Sequence, residues 1–263
     1  MSRQSFYKQR RERRRRRVDE ELVVSLVRRE RLVQPRLGGR KLYGVLKNEL
    51  EGAGVVIGRD RFFEVLRARN LLVPPLPPRS CRTTFSRHSL PVFHNLITDL
   101  EATGPNMIWV SDITYIRTAE GFEHLVLMMD LFSRKIVGYH CGEKSDTAAN
   151  LVALDQALRE LPENRYPIHH SDRGCQYCSH DYVEVLSDRG LPISMTEENH
   201  CYENAHAERL NGILKQEYGL GGRFGSRRQA RRAVDQAIWV YNHQRPHGSL
   251  DNQVPANVHA QAA

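Results

Sequence analysis

Residues 73–78 read Val-Pro-Pro-Leu-Pro-Pro, and this short stretch limits the whole chain. Proline fixes φ and carries no N–H, so four prolines in five residues exclude a helix or a central strand there. The polar stretch that follows, to His88, has no apolar period and extends the interruption. Two separately folded parts are therefore expected, joined by a linker over 74–100. Charge divides at the same place. Residues 1–88 hold 23 Lys and Arg against 9 Asp and Glu, whereas the remainder holds 16 against 22. A basic front with an acidic back points to two tasks, and a polyanion is the natural partner of the first.

The front begins with a basic segment, 1–18, whose arginines repel one another unless an anion lies against them. From Asp19 the pattern becomes helical, with acids early and arginines late, as the helix dipole favours. Two further helical stretches, "RKLYGVLKNELEG" and "RDRFFEVLRARNLL", are separated by "GAGVVIG". This is the outline of a helix-turn-helix over residues 19–73, with the second basic helix placed to read a groove. Arg40, Lys41, Arg59, Arg61 and Arg67 are its candidate DNA contacts.

Beyond the linker the texture changes to strands. "NMIWVSDITYIRT", "FEHLVLMMDLFS" and "KIVGYHCGEK" follow one another through short connections and read as three antiparallel strands. A helix capped by Asp146 or Thr147 comes next, then a short strand "YPIHHSD", a helix, a brief strand "LPISM" and a long helix through "ENAHAERLNGILKQEYG". Together these make a mixed α/β sheet layered with helices. No apolar run approaches the ~20 residues that span a bilayer. Five scattered cysteines suit reduced thiols in a cytoplasmic protein better than a disulfide framework.

Three carboxylates stand out. Asp112 sits mid-strand in an apolar setting, Asp172 ends the fourth strand on a turn, and Glu208 lies on the late helix. Asn204 and Lys215 share the Glu208 stripe, while Ala207, Leu210, Leu214 and Tyr218 form the opposite one, able to pack on the sheet. Each acid alone reads as a solvated or edge residue. Together they can converge at one sheet edge, where carboxylates repel unless protons or cations intervene, and oxygen-only donors suit Mg²⁺ or Mn²⁺. Two such ions about 3.5–4 Å apart are a known arrangement for phosphodiester chemistry.

The ordered motifs "WVSDIT", "LFSRKIVGY", "HHSDRGCQY", "SMTEENHCYENAHAE" with "LK" after it, and "YNHQRPH" resemble insertion-sequence transposases of the catalytic-frame type, with a retroviral-integrase-like core. The resemblance covers about residues 36–255. Its most specific element is the 35 residues between Asp172 and Glu208, the family's Asp-Asp-35-Glu signature. It implies a ribonuclease H-like mixed five-stranded sheet flanked by helices, preceded by a small all-α helix-turn-helix domain. The core would occupy 101–220, with a C-terminal helix and tail over 221–263. Asp112, Asp172 and Glu208 would be the catalytic ligands of two Mg²⁺ or Mn²⁺ ions, Lys215 would contact the element end, and Asn204 is a further candidate DNA contact. Glu203, Cys175 and "EENH" depart from the family's usual residues, none of them at a ligand.

The implied activity is 3′-end cleavage and strand transfer on double-stranded DNA, at the element's inverted repeats and a target, in a bacterial cytoplasm at the nucleoid. Self-association as a dimer or higher is expected, because two ends must meet, and a companion frame protein or fusion is a further candidate partner. A non-catalytic DNA-binding relic and a metal-dependent nuclease without joining are the alternatives. A zinc site at Cys175 and Cys178 is disfavoured for want of a second thiolate pair. Asp130 is expected to cap the turn at Ser133–Arg134. His169 and His170 are expected to serve as scaffold or to contact the DNA backbone. Arg223, Arg227, Arg228, Arg231 and Arg232 form either a solvated face or a phosphate-facing one, and the closing motif either docks structurally or meets DNA.

Overall fold

The computed structural model describes residues 3–74, 89–197 and 205–261, with the side chains of 3–6 and 8–18 left aside. It divides into two compact units, Met1–Pro77 and Pro78–Ala263. The division falls inside the proline stretch, where the chain cannot continue any regular element.

The first unit is three helices, α1 (Arg3–Val33), α2 (Gly39–Gly52) and α3 (Arg59–Ala68). α1 runs through Asp19 without a break, so the expected division between a basic segment 1–18 and a domain starting at 19 is not a structural boundary. Arginine is a good helix former, and the arginine run continues the helix rather than fraying from it. Val23 and Val27 on α1, Leu42, Leu46 and Leu50 on α2, and Phe62, Val65 and Leu66 on α3 form one buried cluster. The i, i+4 spacing in each helix supplies the apolar stripe. Each such side chain contributes about 1.5–3 kcal/mol on full burial. Arg31 ties the helix ends together, donating to the Pro35 carbonyl at 3.0 Å and the Leu71 carbonyl at 3.1 Å.

The second unit is built on β1 (Ile108–Thr118), β2 (Gly121–Asp130), β3 (Ile136–Gly142), β4 (Ile168–Ser171) and β5 (Ile193–Met195), in the order β3-β2-β1-β4-β5. A sixth strand, β6 (Arg223–Phe224), pairs with the end of β1 and adds to the five expected. β1, β2 and β3 are antiparallel neighbours, whereas β4 and β5 run parallel to β1. α4 (Thr147–Arg159) and α5 (His180–Asp188) cover one face with Trp109, Met128 and Val137. Asp146 caps α4, accepting the Ala149 N–H at 3.0 Å.

The opposite face belongs to α6 (Ala205–Glu217) and α7 (Arg227–His243), which bury Leu210, Leu214, Val234 and Ile238 on Val110, Leu125, Leu127 and Met129. α7 therefore lies inside the core, and the expected boundary at 220 is corrected. Its apolar side chains at 230, 234, 237, 238 and 241 leave it no other place to bury them. The first part of the expected linker, 75–88, is outside the described residues. Its last part is not a free linker, since Leu90, Phe93 and Ile97 pack on the two cores and the Leu96 N–H donates to Ser194 Oγ at 2.9 Å.

α4 lies so close to β3 that a Cβ at Gly138 would stand 2.1 Å from the Ala153 carbonyl oxygen. Backbone cannot yield as a side-chain tip does, so Gly138→Ala must push α4 outward. A loss of about 1–3 kcal/mol is expected, read as a lower urea midpoint. No helix among the described residues is long and apolar enough to cross a membrane.

Candidate active site

Side chains on β1 alternate between the two faces. Ile108, Val110 and Ile116 face α6 and α7, and Asp112 shares their parity. On β4, the parallel register sets Val110 beside His170. Two residues further along each strand stand Asp112 and Asp172. Continued past its last pair, that register brings the two aspartates toward one another where β1 and β4 part, and the Asp172 charge acts on Asp112 there. Asp172 is the first residue after β4, and its Oδ1 accepts the Gly174 N–H at 3.0 Å. A Cβ at 174 would crowd the same oxygen at 3.0 Å, so a larger residue there would press on the Asp172 carboxylate.

Glu208 enters from the first turn of α6, over the Asp112 face of the sheet. Leu210 and Leu214 hold this helix down, as expected for its apolar stripe. The three acids meet electrostatically at Asp112. Burial, then the charge of Asp172, then that of Glu208 push its carboxyl from 3.8 up to about 7. Hydrogen bonds from the Ile113 backbone and from Asn211 oppose this rise, with Asn211 Nδ2 donating to Asp112 Oδ2 at 2.6 Å. Among the described residues no three His, Cys, Asp or Glu side chains close to ligating distance around one point. The acids thus stand within reach of each other's charge rather than as a closed cage.

Residues 102–201 match a family model described as an integrase core domain, and residues 189–255 match a second with the same description. The insertion element IS600 uncharacterized 31 kDa protein of Shigella sonnei is 39% identical over 222 residues, covering 82% of this chain and 81% of that one. The chain belongs to the insertion-sequence transposases with an integrase core domain. Transposase InsF for insertion sequence IS3A, of Escherichia coli strain K12, is 39% identical over 166 residues; the match covers 62% of this chain and 58% of InsF. A chain of the simian T-cell lymphotropic virus intasome in complex with PP2A regulatory subunit B56 gamma aligns at a TM-score of 0.52 and 18% identity. It covers 84% of this chain and 74% of its own, a likeness of fold alone. The transposase fold is accordingly the ribonuclease H-like one, with helices preceding it.

Other residues of this transposase that the sequence singles out fall into place around the acids. His169 and His170 are fully buried, so neither can meet DNA, and the scaffold role remains. His169 Nε2 lies 3.0 Å from both Ser111 Oγ and the Tyr182 hydroxyl, and burial followed by the neighbouring His170 holds its pKa down at about 3. Cys178 is buried against Met195 Sδ at 3.6 Å, pointing into the core rather than toward Cys175 as a joint ligand pair. Asp130 does cap its turn: Oδ1 accepts the Ser133 N–H at 2.7 Å, and Oδ2 accepts the Asn106 N–H at 2.8 Å.

Two of the α7 arginines are structural. Arg231 pairs with fully buried Glu123 at 2.7 Å, and Arg227 stands 3.5 Å from the same carboxylate and 2.7 Å from Glu143. Arg228 and Arg232 are exposed, and Arg223 sits on β6. The closing motif docks structurally. The Tyr241 hydroxyl donates to the Arg134 carbonyl at 3.0 Å, Asn242 bonds both the N–H and the carbonyl of Ile136 at 2.9 Å, and Arg245 grips Glu217.

Lys215 lies two turns beyond Glu208 on α6 and is partly buried. Asn204 lies outside the described residues. In the first unit Arg40, Arg59, Arg61 and Arg67 are exposed and Lys41 is partly so. Arg59 pairs with Asp60, and Arg61 with Glu20 and Glu64. Such exposed pairs are weak, about 0–1 kcal/mol, and leave the guanidinium groups open to a stronger anion. Asn211 is the site residue that sequence reasoning missed. It lies three residues after Glu208 and so on the same side of the helix, but nothing in the sequence names the strand it meets.

Proposed function

We propose that this chain cuts the 3′ ends of an insertion sequence and joins them to target DNA, using Asp112, Asp172 and Glu208 as ligands of two Mg²⁺ or Mn²⁺ ions. The observation that supports the reading is the charge of Asp172 and of Glu208 bearing on the buried Asp112 carboxyl, two residues past the last β1–β4 register pair. Metal-free, that arrangement is electrostatically unfavourable, and a hard cation relieves it. The donor set fits, being all oxygen, and the three acids come from three elements rigidly packed on one core. When bound, such ions supply charge neutralisation at the phosphate and a nucleophile active at neutral pH.

The chain's own residues do the rest. In cleavage a water oxygen forms a bond to phosphorus while the bond to the leaving 3′ oxygen breaks. In strand transfer the freed 3′-hydroxyl forms the new bond, and a target 3′ oxygen leaves. Neither step needs a covalent protein intermediate. Arg40, Lys41, Arg59, Arg61 and Arg67 would hold the element end through phosphates and a groove, with Lys215 contacting DNA beside the acids. Double-stranded DNA is thus the substrate, and the reaction needs two ends, so a dimer or larger assembly, with or without a companion protein, is the working form.

The test is strand transfer from a pre-cut 3′-hydroxyl end, in Mg²⁺ and then in EDTA, with wild type beside Glu208→Gln. Joined product is expected only for wild type in metal. Cleavage without joining would make the protein a nuclease; product unaffected by EDTA or by Glu208→Gln would overturn the assignment of the acids.

A further inference from the structure

The turn between β2 and β3 carries an arginine where the backbone favours a smaller residue. Arg134 has φ 62°, in the left-handed region that glycine or asparagine enters at lower cost. The turn is closed by the Arg134 N–H on the Asp130 carbonyl at 2.9 Å, a bond that any residue but proline supplies. The turn gives no reason for arginine, so the reason lies in the side chain. Arg134 Nη1 stands 2.9 Å from His206 Nδ1, and because a guanidinium only donates, that ring nitrogen accepts. The Arg134 Nε–H is buried, with no hydrogen-bond partner among the described residues. Asp130 bears on Arg134 through charge, but its oxygens are occupied by Asn106 and Ser133. A half-buried cation is thus bonded to a neutral ring, and one of its donors is unmatched.

Arg134 and His206 open onto a cavity of about 260 Å³, which Arg209, Tyr241, His247 and Ser249 also line. The remaining lining is apolar, and among the described residues that line it none is a carboxylate. Two arginines and two histidines over an apolar floor suit one small anion, in a volume below the ~300–1,000 Å³ of pockets for larger organic ligands. Guanidinium groups match phosphate oxygens in geometry as well as in charge. The adjoining cavity, about 500 Å³, shares Arg134, His206 and Ser249 but adds Asp99 and Glu101, which turn a second anion away. His206 and Leu210 face the first cavity from α6, and Glu208 is two residues from each, about 200° around the helix. Cavity and catalytic acid therefore lie on opposite sides of one helical turn. We propose that this cavity binds a single phosphate, and that the phosphate belongs to a DNA strand whose neighbouring stretch reaches the acids across the first turn of α6. The DNA source rests on the function proposed above; the anion site rests on the cavity alone.

The test compares the full chain with Arg134→Gln, Arg209→Gln and the double variant, each with a melt in chloride as the folding control. Arg209 is exposed, so its variant reads the site even if Arg134→Gln melts lower. Inorganic phosphate at constant ionic strength is the first probe. It should raise the wild-type melt by binding the native state, and raise the variants' less or not at all. The second probe is duplex DNA, bound across a range of salt. Each phosphate contact contributes about 0.9 to the slope of log affinity against log salt. Because both arginines meet one phosphate, the double variant should lose about 1 from that slope, on an element end and an unrelated duplex alike. A phosphate response lost in the variants, with the DNA slope unchanged, would keep the anion site and overturn its DNA source. No response to phosphate in wild type, an equal response in the variants, or a slope loss of about 2, as two independent contacts give, would overturn the site. Wild type that binds no duplex would overturn the function proposed above and leave the phosphate melts to judge the cavity.

Discussion

Asp112→Asn is expected to raise the melting temperature of the metal-free protein while abolishing strand transfer. The Asp112 carboxyl is pushed from 3.8 to about 7 in the folded protein, by burial first and the two other acids next. Folded protein therefore keeps a proton that the unfolded chain has already released, across the interval from about pH 4 to about pH 7. Stability linked to that proton is whole below the lower value and is lost as pH rises through the upper one. At pH 8 the wild-type protein carries the full penalty of ionised Asp112. Asparagine has no such proton to lose. Calorimetry from pH 4.5 to pH 8 should show a variant that melts higher than wild type at the alkaline end and less steeply dependent on pH. Added Mg²⁺ should raise the wild-type melt and leave the variant's unchanged, because only binding to the native state stabilises it. A variant that melts lower than wild type at pH 8 without metal would show that the acids are not held in mutual repulsion.

The second large effect lies at the far end of the core. Arg245 is 1% exposed and makes two charge-assisted bonds to Glu217, at 2.7 and 2.8 Å, while its guanidinium stands 5.6 Å from the Tyr241 ring centre. Arg245→Ala leaves the Glu217 carboxylate beside a new cavity at the end of α6. A loss of about 3–5 kcal/mol is expected, the range for removing one partner of a buried pair. Against the 5–15 kcal/mol typical of a folded domain, this is a large share. Arg245→Lys should recover little, because an ammonium cannot reproduce the two parallel bonds. Arg245→Met combined with Glu217→Gln should recover more than either alone. Urea denaturation of the five variants measures this directly, and a loss below about 1 kcal/mol for Arg245→Ala would refute the clamp.

The sequence carries the acid site further than it carries the limits of the fold. Asp112 and Asp172 were legible because an acid in an apolar strand and an acid at a strand end violate local pattern. Glu208 was legible through its helix stripe and its distance from Asp172. Asn211 was not, since an asparagine on an amphipathic helix looks solvated until the strand it touches is known. Gly138 was silent for the same reason: only the approach of α4 gives its missing Cβ a meaning. α7 shows a different failure. Its apolar spacing was present, but its arginines drew the reading toward a surface role, when two of them hold the sheet through Glu123. In α1 a change of composition at Asp19 resembled a boundary, although arginines and the residues after them share one helical preference.

Only four residues make β4, three of them buried, and three register pairs fix them to β1. Alternation along a strand is a parity rule, so the separation of the two aspartates has two very different tolerances. The exposed stretch from Pro162 to Tyr166 can lengthen or shorten with no effect on which way Asp172 faces. Between Ile168 and Asp172 a single added residue would exchange inside for outside and strand the second carboxylate behind the sheet. A change of length thus meets a tolerant zone and an intolerant one only a few residues apart, and in the second the chemistry is counted in odd and even.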